Sequence, residues 1–140
     1  MICGRIVLMQ FSVGVVLVKG KKALMQLRDI KPNIVLPGHW SIPGGYVGEG
    51  ESVKEAAKRE FKEETGYLLK NPKLFKTEAY EINDKKVKRH LFYEAYDGKQ
   101  EIKCLEGQKM EFKSPGEFKR MKIFPGHADF VREAIKLANR

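Results

Sequence analysis

Three glutamates, Glu60, Glu63 and Glu64, stand at i, i+3 and i+4 within residues 44–67, GGYVGEGESVKEAAKREFKEETGY. Ser52 and Glu55 have the spacing of a capping box and Gly66 is a natural stop, so the spacing predicts a helix between them. An advance of about 100° per residue puts Val53, Ala56, Ala57 and Phe61 on one arc, the face that seeks a core. Lys54, Lys58 and Lys62 share the opposite arc with Glu55 and Arg59 at its side, all expected in water. Glu60 and Glu64 project within the apolar arc, and Glu63 lies at its edge. A buried carboxylate without a partner costs several kcal/mol, so something cationic should meet these groups. Arg59 alone cannot neutralise three carboxylates. Hard oxygen ligands on one rigid face suit Mg²⁺, or Mn²⁺. An ordinary amphipathic helix with solvated glutamates is the bland alternative, and the placement on the apolar arc argues against it.

The rest of the chain must hold that helix and the glycine turn before it. Residues 11–19 are β-rich and nearly continuously apolar, as in a strand covered on both faces. Gly20 and Lys21 then turn the chain into a second strand at 23–28, and residues 2–9 are a candidate edge strand. Residues 29–39, DIKPNIVLPGH, form a loop too long to be idle in a small domain. Gly44 and Gly45 allow close backbone approach to a ligand or ion. After the helix, 67–69 and 74–82 read as strand, 87–96 as a partner across an Asn83-Asp84 turn, 97–108 as loop and 109–112 as a last short strand. A capping box at Ser114 and Glu117 marks a brief helix. Phe130, Val131, Ala134, Ile135 and Leu137 give a C-terminal helix at 128–137 an apolar face. The pattern is a mixed sheet with helices, an α+β or α/β sandwich.

At 140 residues the chain suits a single domain spanning 1–140. With 42% apolar and 32% charged residues it reads as globular and soluble, without a membrane span or a signal peptide, and a cytoplasmic location follows by default. Cys3 and Cys104 are too few for a metal knuckle and read as reduced thiols. The net charge of +9 contrasts with the acidic helix, so the surplus lies at 19–22, 85–89 and 119–122, a rim able to steer polyanions.

Gly45, Glu51, Arg59, Glu60, Phe61, Glu63, Glu64, Thr65, Gly66 and Tyr67 reproduce the order and spacing of the Nudix box, and the chain resembles the MutT-like Nudix hydrolases from about Phe11 onward. Phe61 and Tyr67 replace the usual aliphatic residues while preserving bulk. The resemblance implies an α/β/α sandwich with a mixed sheet between helices. It also implies a Mg²⁺-dependent pyrophosphohydrolase that directs water onto phosphorus of a nucleoside diphosphate linked to another group, a nucleoside triphosphate first. Glu60, Glu63 and Glu64 are then the principal metal ligands, with the Gly44 carbonyl as a further one, and Glu51 and Arg59 brace loop and helix. Leu105-Glu106-Gly107-Gln108 resembles the MutT-type loop whose glutamate is an extra ligand or general base, with Glu101 and Glu111 as competitors. Arg28 matches a phosphate-contacting position, and Phe124 and His127 lie where the base is contacted, without a base-reading asparagine. Trp40, the only tryptophan, is either a substrate contact or core, and His90 is read as structural. The proline that follows the box in ADP-ribose hydrolases has no counterpart, and Tyr80 lies too close to the box to match the tyrosine of dinucleoside polyphosphate hydrolases. A small-molecule nucleotide is the implied partner. RNA is less favoured, a homodimer is compatible with the chain, and the alternative function is a non-catalytic nucleotide- or RNA-binding module.

Overall fold

A computed structural model describes residues 9–140. The sheet is built on β1 (Met9–Lys19), whose run from Ser12 to Val18 is buried, as the continuous apolar pattern requires of a strand covered on both faces. β6 (Lys85–Ala95) lies parallel along one edge of β1, and β5 (Lys73–Ile82) pairs antiparallel outside it. The other edge is divided. β2 (Lys22–Leu27) pairs at Val18 and Lys19, while β4 (Gly44–Tyr46) takes Ser12, Val13 and Gly14. β3 (Trp40–Ser41) and β7 (Lys109–Lys113) both pair with β2.

α1 (Val53–Thr65) covers one face of this mixed sheet and α2 (His127–Ala138) the other, giving an α+β fold. Ala56, Ala57 and Phe61 enter the cluster of Val15, Leu17, Leu24 and Phe92. Phe130, Val131, Ala134 and Ile135 enter that of Val16, Met25, Ile42 and Leu91, with Leu137 half-buried. Both apolar arcs are those the spacing predicts. The helix ends also agree: the Ser52 hydroxyl accepts from the Glu55 N–H at 3.1 Å, and Gly66 closes α1 at φ 74°. Asn83 and Asp84 turn β5 into β6 with φ of 49° and 61°, the twist that two-residue hairpins favour. The brief helix after Ser114 is a 3₁₀ turn (Pro115–Arg120), with the Ser114 N–H donating to the Glu117 carboxylate at 2.8 Å.

One expected strand is absent. Residues 67–69 lie outside any strand, because their polar groups go to side chains: the Leu68 N–H donates to Gln100 Oε1 at 2.8 Å, and Gln100 Nε2 returns a bond to the Leu68 carbonyl at 3.0 Å. Tyr67 and Leu69 meanwhile pack under α1. The candidate strand at 2–9 lies outside the described residues except for Met9, which opens β1, and so does Cys3. No helix among the described residues is long and apolar enough to cross a membrane. Because Gly66 holds a left-handed conformation, Gly66→Ala should cost roughly 1 kcal/mol, read as a lower urea midpoint with an unchanged slope.

Candidate active site

The glycine turn and α1 are joined by direct contact. The Gly44 N–H donates to the Glu64 carboxylate at 3.1 Å. A Cβ at Gly45 would collide with the Glu60 carboxylate, and one at Gly44 with the Val13 carbonyl, so side chains are excluded where turn, strand and helix meet. Glu64 is only 3% exposed and Glu60 is half-buried, as the apolar-arc placement predicts, while Glu63 points outward.

The loop at 97–108 brings in a further carboxylate. Leu105 and Lys103 donate their N–H groups to the carbonyls of Glu64 and Thr65, both at 2.9 Å, tying the loop to the end of α1. On its other side Gln26 Nε2 donates to the Glu106 carbonyl at 2.8 Å. Glu106 is thereby set against Glu64 and near Glu60. Of its competitors, Glu101 is exposed and Glu111 pairs with Lys113 at 3.1 Å. Burial, then the Glu106 charge, push the Glu64 carboxyl up to about 9, and burial raises Glu60 as well.

Arg59 departs from the watery position its helical arc suggests and fills the bracing role the motif implies. Its guanidinium grips Glu51 through two bonds of 2.7 and 2.9 Å, and reaches Glu60 at 3.0 Å, Glu63 at 3.3 Å and the Tyr46 carbonyl at 3.0 Å. The Arg59 bonds and the Gly48 N–H pull Glu51 down to about 2. Among the described residues no three acidic or histidine side chains converge as a ready metal cage, and Arg59 holds Glu60 and Glu63.

Beside the carboxylates, where β2 and β4 part along β1, opens a cleft of about 380 Å³. Arg28, Phe124 and His127 all line it, together with Asn33, Ile34 and Val35 of the long loop. Arg28 is no surface ion pair: its Nε donates to the Val35 carbonyl at 2.8 Å, and its guanidinium lies 5.5 Å from the Phe124 ring. Trp40 does not line the cleft. It packs on the α2-side cluster with Lys113 Nζ 4.7 Å from its ring, and the next residue, Ser41, faces the cleft in its place. His90 is structural as expected, its Nδ1 3.2 Å from the Ser12 carbonyl.

Arg89 and Ser41 line the same cleft and were not singled out by the sequence, and Tyr80, set aside there as too close to the box for a family match, lines it as well. Arg89 belongs to the basic segment assigned to the rim, yet it is buried. Strand alternation carries the missing signal, since Val87, Arg89 and Leu91 share one face and both apolar members are fully buried. His127 sits beside it. Its Nδ1 accepts from the Ile42 N–H at 3.0 Å, and burial, with Arg89 and Arg28 nearby, depresses its pKa to about 3, so the ring is neutral.

A family model described as the NUDIX domain matches residues 8–134. The chain belongs to the Nudix family. It is 30% identical over 105 residues to the uncharacterized Nudix hydrolase YvcI of Bacillus subtilis, a stretch covering 71% of this chain and 66% of that protein. A shorter stretch of 35 residues, 25% of each chain, is 53% identical to nucleoside triphosphatase NudI of Escherichia coli. The chain thus spans less than two-thirds of the length of these curated Nudix relatives. Among solved structures, the MutT protein of Methanosarcina mazei superposes with a TM-score of 0.76 at 26% identity, covering 96% of this chain and 98% of that one. A MutT Nudix hydrolase of Burkholderia pseudomallei gives 0.78 at 19% identity, covering 91% and 98%, a likeness of fold.

The Glu64 environment gives metal-free stability a definite slope. Unfolded, this carboxyl releases its proton near 4.5, whereas the native state keeps it to about 9, so between those values the native state binds more protons. Its contribution therefore falls as pH rises through that window. In chelator, the melting temperature of Glu64→Gln should exceed that of the parent by a margin that widens from pH 5 to pH 9. A parent that is the more stable at pH 9 would make Glu64 a structural partner.

Proposed function

We propose that this Nudix protein is a Mg²⁺-dependent pyrophosphohydrolase acting on a nucleoside diphosphate linked to another group, with nucleoside triphosphates as the first substrate class. The observation that carries the proposal is the nearly buried Glu64 carboxylate, set against Glu106 and near Glu60 at a glycine turn, beside a cleft lined by aromatic and cationic side chains. Carboxylates do not accumulate in a half-buried site without a cation to oppose their repulsion, and an all-oxygen donor set fits Mg²⁺ or Mn²⁺. The 53% identity to a nucleoside triphosphatase, over the stretch shared with it, points the same way.

In this mechanism Glu60, Glu63 and Glu64 would hold the ion, with the Gly44 carbonyl as a further ligand. The bound ion supplies neutralisation of the pyrophosphate charge and acidification of the attacking water. Arg59 positions the acidic side chains: Glu60 and Glu63 are on its guanidinium, and its fixed grip on Glu51 and the Tyr46 carbonyl sets where they start. Glu106 accepts the proton of water as its oxygen attacks phosphorus, the bridging P–O bond breaks, and the leaving phosphate or nucleotide departs with the electron pair. Arg28 meets phosphate at the mouth of the cleft, and Phe124 offers a flat apolar face to the base.

Glu106→Gln should lower kcat by about 10²-fold or more with an unchanged melting temperature, while Glu101→Gln stays near the parent rate. Release of phosphate or pyrophosphate from a mixed nucleotide panel, with and without Mg²⁺, tests the whole reading. Absence of metal-dependent turnover on that panel, together with salt-sensitive RNA binding, would replace the hydrolase with a binding module.

A further inference from the structure

Gln26 interrupts an apolar run. Ala23, Leu24, Met25 and Gln26 of β2 are all buried, Gln26 to 6% exposure. Strand alternation sets it on the face of Leu24, which packs in the α1-side cluster, while Ala23 and Met25 enter the other. A buried amide in that company costs free energy unless it is bonded. Its bond goes 80 residues along the chain to the loop that carries Glu106, where Gln26 Nε2 donates to the Glu106 carbonyl at 2.8 Å.

That loop is anchored on both sides. Lys103 and Leu105 donate to the last carbonyls of α1, and beyond the turn the Gln108 N–H donates to the Leu27 carbonyl, and Gln108 Nε2 to the Arg28 carbonyl, both at 2.8 Å. Glu106 and Gly107 lie between these anchors. Gly107 has a φ of 84° and sits so close to β2 that a Cβ there would stand 2.7 Å from the Leu27 carbonyl and 2.9 Å from Gln26 Cγ. Glycine adopts this conformation and many others, so the local chain alone does not fix the peptide that joins the two residues. The exposed Cys104 thiol, 3.4 Å from the Glu106 carbonyl, is a weak donor. The strong bond to that peptide is the one from Gln26.

We infer that Gln26 is a positioning residue for Glu106: its amide pins the Glu106 carbonyl to β2 and so holds the root of the acidic side chain beside the carboxylates of α1 before substrate arrives. This rests on the reading of Glu106 as proton acceptor above. Glu106 is itself exposed, so its placement depends on where the loop is tied. A reacting group misplaced by roughly 1 Å can lose about 10²-fold in rate. Gln26 also lines the cleft, and a direct contact with substrate is the rival role. A tether acts on turnover, and only through Glu106, whereas a substrate contact acts on KM.

Gln26→Met keeps length and bulk and removes the donor. In chelator, amide hydrogen exchange at Leu105 and Gln108, whose N–H groups dock the loop on α1 and β2, should quicken about fivefold or more while exchange in β1 stays as in the parent. With Mg²⁺ and the best substrate of the nucleotide panel, kcat should fall about tenfold or more with KM within about twofold. In a Glu106→Gln background the same substitution should cost less than about twofold, because both changes strike one group. Gly107→Ala presses a methyl group against the Leu27 carbonyl and reaches the loop from its other side. It should reproduce the faster exchange and the lower kcat, and it decides the matter if Gln26→Met does not fold. Unchanged exchange, a raised KM at the parent kcat, or an equal loss in both backgrounds would overturn the inference. Glu106→Gln at the parent rate sinks the role given to Glu106 and this inference with it. An impaired Glu106→Gln beside an unaffected Gln26→Met removes this inference alone and leaves the hydrolase standing.

Discussion

The Gly44 amide donates to the Glu64 carboxylate at 3.1 Å, and through this contact the sheet holds the inward acidic face of α1. Glu64 lies on the arc that Ala57 and Phe61 bury, so the helix cannot dock its apolar face without taking the carboxylate inside. A buried acid of this kind is tolerated when it stays protonated or meets a cation. The metal-free protein keeps the proton, and the proposed ion would displace it. Folding and the proposed ion binding would thus act on one oxygen pair.

Arg59 is the complementary constraint. One guanidinium spans the loop before α1, through Glu51 and the Tyr46 carbonyl, and the helix itself, through Glu60 and Glu63. Its fork fixes directions as well as charge, which a lysine's single ammonium would not. The loop at 97–108 gains its position differently. It donates backbone N–H groups to the last carbonyls of α1, so a helix end that would otherwise face water becomes the shelf for Glu106.

Local chemistry made the first half of the site legible in the sequence. Caps at Ser52 and Gly66 and the helical arc depend on neighbours a few residues away, and the structure has them as read. Arg28, Phe124 and His127 meet in the cleft although they come from distant parts of the chain, an arrangement the motif resemblance anticipated and spacing alone could not. What failed was nonlocal. Residues 67–69 have strand composition, but Gln100, far along the chain, takes their backbone groups. Trp40 and Ser41 could each have faced the cleft, and only the pairing of β3 with β2 decides. Arg89 reads as one more cation in a basic run until the burial of Val87 and Leu91 shows which way the strand faces.

The divided edge of β1 decides how the cleft is walled. Because β2 and β4 part along it, the cleft draws its lining from strands whose side chains address opposite helical layers. Glu60, Glu64 and Glu106 belong with the α1 layer, whereas Arg89 shares the face that Leu91 turns toward α2 and His127 is the first residue of α2 itself. The carboxylates and the far wall of the cleft therefore belong to separately packed halves of the molecule, so side chains on β6 and at the start of α2 can be exchanged without repacking the layer that holds the carboxylates.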